Sequence, residues 1–382
     1  MKYAPTSTGP SRTLSPAEIE TFGQELDAIR RRVMASLGER EAIYIRRVQA
    51  LVRYTEISGR GLLFLGWLPP AWLTGTSLLA FSKIVDNMEL GHNVMHGQYD
   101  WMHEPALTGN QYEWDSACPG DAWRHSHNYM HHTFTNVEGK DRDIGYGILR
   151  LTDDQKWNPG HLLQPVRAAM LAALFQWGVA MHDLEAEKVI QGKKSLRQLW
   201  HDFKPVGKKG ARQILKDYAF FPLVAGPAAL PVLAGNATAN LARNLWAFAI
   251  IFCGHFTEDA ETFPESCLHN ETRGQWYLRQ LKGSSNLEGG LFFHFMSGNL
   301  SHQIEHHLFP ELPALRYAEI ATEVRAICER YGQHYNTGPF SRQFSSVVRR
   351  IMRYSLPTAL RPRERSAAPA PIKASNPLAA AA

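Results

Sequence analysis

The sequence predicts an all-α, multi-pass membrane protein. Two transmembrane helical hairpins, four spans in all, would sit beneath a cytosolic helical cap that holds a metal site. Three observations predict this. Apolar stretches come in pairs split by turn-forming residues, basic residues crowd beside them, and eight histidines recur in three related clusters. The clusters read His92-Asn-Val-Met-His96, His127-Asn-Tyr-Met-His131-His132 and His302-Gln-Ile-Glu-His306-His307.

Taken in order, the chain starts with a polar, proline-bearing stretch, Met1 to Leu14, that lacks the apolar core of a secretory signal. Ser15-Pro16-Ala17-Glu18 reads as a capping box with proline at the first helical position. Ile19, Phe22, Leu26, Ile29 and Val33 then mark an amphipathic helix, suited either to a membrane surface or to packing on the protein. The first hairpin takes Ile57–Trp67 and Leu73–Val85 as its arms, with Pro69 and Pro70 at the turn. Tyr218–Gly235 and Leu241–Phe256 form the second, split at Asn236–Asn240. The second pair of arms, about 16 to 18 residues, reaches roughly 24 to 27 Å, short of the ~30 Å hydrocarbon layer, and the arm from Ile57 is shorter still unless it extends back past Arg60. Trp67, Trp72, Tyr218 and Trp246 would suit the interfaces.

A fifth apolar stretch, Val166–His182, is expected to lie in the interface or under the cytosolic part. Nine Lys and Arg between Glu185 and Lys216, and five between Arg40 and Arg60, place both segments on the cytosolic side. A fifth crossing would separate the third histidine cluster from the first two. The alternative to spanning is that these stretches are buried core helices, and the mean hydropathy of −0.30 keeps it open. Three regions follow: a polar start and amphipathic helix at 1–56, a membrane domain at 57–335, and a basic segment with a disordered tail at 336–382, the tail running from Pro357.

The net charge of +5 is too small to suggest nucleic acid, and Cys118, Cys253, Cys267 and Cys328 have neither disulfide-framework nor zinc-ribbon spacing. The chemistry lies in the histidines. Residues four apart on a helix share a face, so both rings can reach one ion, and the adjacent second histidine serves another edge of the site. Eight imidazoles exceed what one ion takes and suit two. Asp86 and Glu89, beside the first cluster, are candidates for orienting ligand rings. No cluster carries Glu directly after its first His, which disfavours zinc hydrolysis of the H-E-x-x-H kind. The apolar stretches read as nearly free of ionisable residues, which disfavours a metal transporter. Two irons acting with O₂ on C–H bonds fit best.

These residues resemble the integral-membrane fatty acid desaturases and their hydroxylase relatives, whose three histidine boxes match His92–His96, His127–His132 and His302–His307. The resemblance runs from about Arg46 to Tyr335. Asp86–Gly97 and Thr133–Asp143, the latter with Lys140-Asp-Arg-Asp143, look like the bacterial and mycobacterial acyl-CoA desaturase branch. It implies an O₂-dependent oxidoreductase that sets a cis double bond into a fatty acyl chain, with the ninth carbon of an acyl-CoA as the position and substrate this branch suggests. A hydroxylase is the alternative.

By the same resemblance two iron ions are held by the box histidines and a ninth, His255, with Gln303 the alternative to His302. Ile251 stands where such relatives place a water-holding Asn. His125, His269 and His294 are candidates for support, Phe292, Phe293 and Phe295 for an acyl tunnel, and Lys193, Lys194, Lys208 and Lys209 for a phosphate-bearing head group. The chain has no G-x-G-x-x-G motif and no cysteine set for an iron–sulfur cluster. Electrons would therefore come from a separate reductase, with or without a ferredoxin or cytochrome. The expected location is the bacterial inner membrane, with the site on its cytoplasmic face.

Overall fold

The structure, a computed structural model, describes residues 11–360. The start of the chain up to residue 10 and most of the tail expected to be disordered lie outside the described residues. Helices dominate, and the sheet among the described residues is a parallel pair, Asn286–Glu288 beside Thr337–Pro339.

Helix α1, Pro16–Ala35, begins as its sequence predicts. The Glu18 N–H donates to Ser15 Oγ at 3.3 Å and the Ser15 N–H donates back to the Glu18 carboxylate at 2.8 Å. Its apolar face takes the second of its two expected fates and packs on the protein. Phe22, Leu26, Ile29 and Val33 join Tyr277, Leu281, Ile304 and Leu308 in one core. The helices touch at Gly274, where a Cβ would stand 2.1 Å from the Ile19 carbonyl oxygen.

The four-span expectation is overturned, because no helix among the described residues is long and apolar enough to cross a membrane. The reasons are local. The arm read from Ile57 is the end of α2, Glu39–Leu63, a helix that carries Arg46, Arg47, Arg53, Glu56 and Arg60. Helix α3, Pro69–Val85, is 17 residues long, about 25 Å. The second hairpin does not turn at Asn236–Asn240. A helix of 27 residues, Ala229–His255, runs straight through that segment. The break lies earlier, in a π-helical turn at Leu215–Phe220 and short turns up to Ala228.

Asn236 and Asn240 are four apart and share a face. They donate to the Asp217 carbonyl (2.6 Å) and carboxylate (3.0 Å). The same buried carboxylate accepts from Arg60 Nη2 at 3.0 Å and Lys83 Nζ at 2.8 Å. The supposed ion-free arms therefore enclose a buried charge cluster. Val166–His182 is two short helices, Gln164–Ala173 and Phe175–His182, broken at Leu174 and packed on the Ala229–His255 helix. Cys118, Cys253 and Cys328 are buried free thiols, and Cys267 is half-buried and free.

Candidate metal centre

Two π-helical turns build the centre. One continues α3 through Asp86–His92 and the other spans Arg124–His131. The extra residue in each turn re-aims the side chains that follow it, and both turns end on histidines of a cluster. The Ala229–His255 helix delivers His255 at its last residue, and the short helix Gln303–Leu308 delivers His306 and His307.

The rings gather into two neighbouring groups. Ligand-capable atoms of His92, His96, His127 and His306 lie within 4.8 Å of one another, as do those of His131, His255 and His307. His132 falls within the same limit of His306 and His307, between the two groups. Nε2 of His92 is 3.3 Å from Nε2 of His127, and Nε2 of His131 is 3.3 Å from Nε2 of His255.

The opposite nitrogens are tied outward. Nδ1 of His131 meets Asp141 Oδ2 at 2.9 Å, and Nδ1 of His127 lies 3.5 Å from Asp143. For His92, His255 and His307 the partners are Asn93 Oδ1 (3.1 Å), the Gly283 carbonyl (3.1 Å) and Gln280 Oε1 (3.0 Å). His306 Nδ1 faces the Tyr317 hydroxyl at 3.3 Å. Acceptors there place the proton on Nδ1 and leave Nε2 as a lone pair aimed inward.

Nε2 of His96, His132, His306 and His307 is buried with no hydrogen-bond partner, as is Nδ1 of His132. Buried polar atoms without partners are costly. A metal ion supplies what the Nε2 atoms lack, so the residues fit a metal pair. An all-nitrogen donor set without thiolate suits iron or zinc. Burial pushes His92 down to about 3 and His96, His132, His255, His306 and His307 well below their ordinary value. These rings are therefore neutral and ready to ligate. His131 differs: burial opposes its charge, but Asp141 and Asp143 raise it to about 9.

Not every expected residue arrives. His302 stands apart from both groups, with its ring stacked on His294 at 4.7 Å and Nδ1 3.9 Å from Glu305. The short helix turns the next residue inward instead, so Gln303 Nε2 lies 2.9 Å from His255 Nε2. Asp86 accepts the Asp115 N–H and Glu89 accepts from Tyr44 and Asn299, so neither carboxylate orients a ring. That work falls to Asn93, Asp141, Asp143, Gln280 and Tyr317. Of these, Asp141 and Asp143 carry a sequence signal, as carboxylates about ten residues beyond a His-His pair; Gln280 and Tyr317 carry none.

His125 pairs with Asp183 on the surface, and His269 is exposed too. Phe292 is exposed, Phe293 packs on Trp246 and Phe340, and Phe295 on Phe81, so none lines the cavity beside the centre. That cavity is walled instead by Met88, Tyr146, Phe175, Val179, Ala247 and Ile251. Lys209 is committed to Glu113 and Lys194 to Asp202, leaving Lys193 and Lys208 exposed.

The family model for fatty acid desaturases matches residues 66–339, most of the chain. The chain belongs to the fatty acid desaturase family. It is 45% identical over 348 residues, 90% of its own length and 82% of the other's, to an NADPH-dependent stearoyl-CoA 9-desaturase of Mycobacterium tuberculosis. It is also 25% identical over 291 residues, 72% of its length and 78% of the other's, to an sn-1 linoleoyl-lipid 6-desaturase of Synechocystis. Like its family, this desaturase is an oxidoreductase with a fatty acyl substrate, and its histidine groups are compatible with metal binding.

Proposed function

We propose that this desaturase holds two iron ions between its histidine groups and uses O₂ to place a cis double bond at carbon 9 of a fatty acyl-CoA. The observation that carries the metal assignment is the set of unpartnered Nε2 atoms of His96, His132, His306 and His307, two of which, on His306 and His307, have Nδ1 partners that fix their tautomers. His92, His96, His127 and His306 would hold one ion and His131, His255 and His307 the other, with His132 between them and Gln303 beside His255. Bound iron supplies the O₂ reduction that oxidation of an unactivated C–H bond requires. The balance is simple. Two hydrogens leave neighbouring methylenes, two electrons and two protons come from a donor, and O₂ becomes two waters.

The protein's own part is to hold the chain dry and in place. Apolar walls from Met88, Tyr146, Phe175 and Ile251 beside the centre exclude water from the reacting methylenes. The choice of carbon 9, of CoA and of NADPH as the source of electrons is supported by the similarity to the mycobacterial enzyme. We also infer a membrane-bound location, in the bacterial inner membrane with the centre facing the cytoplasm. It is supported by one apolar end of the molecule, where Trp67, Leu68, Leu73, Leu223 and Leu230 are exposed.

The test is to express the chain with a candidate reductase, tag its fatty acids with dimethyl disulfide, and read the double-bond position by mass spectrometry. A carbon-9 double bond that vanishes in His306→Ala is the expected result. A hydroxylated chain would replace this reading with that of a hydroxylase.

A further inference from the structure

The cavity beside the histidines does not end in apolar packing. It follows the Ala229–His255 helix from His255 to Arg243, twelve residues and about 18 Å of helix away. Ala247, Ile251, Phe175 and Val179 wall the stretch between. At its far end stand Arg243, 2% exposed, Asn244, 4% exposed, and Gln176.

These three side chains are organised. Asn244 Nδ2 donates to the Ala173 carbonyl at 2.8 Å, which fixes which way its amide points. Its Oδ1 accepts from Arg243 Nη2 at 3.1 Å and from the Gln176 backbone N–H at 3.4 Å. Two buried atoms at this end are left without a hydrogen-bond partner: Nη1 of Arg243 and Oε1 of Gln176. An unpaired donor and an unpaired acceptor in a closed, mostly apolar space are expensive unless something fills them.

Burial holds the Arg243 guanidinium below its ordinary value, against the smaller favourable pull of Asp115, Asp217 and Asp86. What Arg243 lacks is an acceptor for one N–H, and what Gln176 lacks is a donor. A hydroxyl supplies both, its oxygen accepting from Arg243 Nη1 and its hydrogen going to Gln176 Oε1. A carboxylate would serve Arg243 and leave Gln176 Oε1 facing a negative charge.

We propose that the far end of the cavity is a subsite for a hydroxyl at the end of an acyl chain, so that the enzyme favours chains hydroxylated at the terminus remote from the carboxyl group. This rests on the reading of the cavity as the acyl site. A plain chain would bring its methyl group against the guanidinium and satisfy neither atom.

The test is calorimetric binding of the CoA thioesters of octadecanoic acid, 18-hydroxyoctadecanoic acid and octadecanedioic acid (one carboxyl free) to the purified full-length protein. Expected is a preference of about tenfold or more for the hydroxylated chain over the plain one, lost in Arg243→Met and in Gln176→Leu. Gln176→Leu, on a half-buried side chain, keeps the test open if Arg243→Met fails to fold. Equal affinity for plain and hydroxylated chains in the unaltered protein would overturn the proposal and assign the end to water only. A preference for the diacid thioester that survives Gln176→Leu would overturn it in favour of an anion site. If the plain chain binds without any hydroxyl preference, the acyl reading stands and this one falls. Failure of all three to bind would sink both.

Discussion

His131 and Asp141 sit 2.9 Å apart, Nδ1 to Oδ2, with neither side chain more than 1% exposed. The same Asp141 oxygen accepts the Asn136 N–H at 2.7 Å, and its partner oxygen accepts the Asp143 N–H at 2.9 Å. The carboxylate is thus pinned by the loop that follows the second cluster, and it pins the ring in turn. Partners of this kind typically govern metal affinity by about 10- to 100-fold. Asp141→Asn is expected to lower iron retention by that order without unfolding the protein. Iron per chain after dialysis against a chelator, alongside circular dichroism, would check it; full retention of both irons would show that Asp141 does not orient the ligand.

The third cluster offers a sharper discrimination. His302 stacks on His294 away from the groups, whereas Gln303 points at His255. His302→Ala should keep two irons per chain, and His306→Ala should lose at least one. Elemental analysis of both variants decides it. Loss of iron in His302→Ala equal to that in His306→Ala would return His302 to the ligand set.

Asp217 is shared by Arg60, which also meets Glu56, and Lys83, which also meets Asp115, and Asp217, Arg60 and Lys83 are all buried. Removing one member of such a group strands the others, at a typical cost of about 3–5 kcal/mol. Asp217→Ala should therefore lower the unfolding free energy by that order, as measured by denaturant titration. A change under about 1 kcal/mol would mean that water reaches the cluster.

Glu89 gives a pH dependence of unusual sign. Burial pushes its carboxyl up to about 8, despite hydrogen bonds from Tyr44 and Asn299. Above its ordinary value of 4.5 the unfolded chain has released a proton that the folded protein still holds. The folded state is therefore destabilised as pH rises between about 4.5 and 8. Glu89→Gln should raise the melting temperature relative to the unaltered protein, by a margin that grows from pH 5 to pH 8. A margin independent of pH would show that Glu89 is ionised in the folded state.

Gly274 tests the seat of the first helix. A methyl group there meets the Ile19 carbonyl at 2.1 Å, and overpacking of this sort costs about 1–3 kcal/mol. Gly274→Ala is expected to destabilise by that amount in thermal unfolding with iron content unchanged.

Much of the centre was legible in the chain because its ligands come in local patterns. His92 and His96, or His127 and His131, need only one turn of helix to share a face, and the Ser15–Glu18 capping box acts within one turn as well. These are short-range rules, and the amino-acid order by itself determined them. It also carried enough of the family's signature to name the chemistry.

Other features were settled by partners distant in sequence. Asn236 and Asn240 look like a turn until Asp217, Arg60 and Lys83 surround them, when the same amides become one face of an unbroken helix. Gln303 displaces His302 because a single residue at the start of a short helix decides which of two neighbours faces His255. Gln280 and Tyr317 hold His307 and His306 from helices whose sequences mark neither residue as special. Arg243 and Gln176 meet only through Asn244, in a cavity that exists once separate helices are packed. Local periodicity can say which side chains share a face. What that face meets is decided by the energy of burying charge and polar atoms, and that energy is defined only when the whole chain is folded.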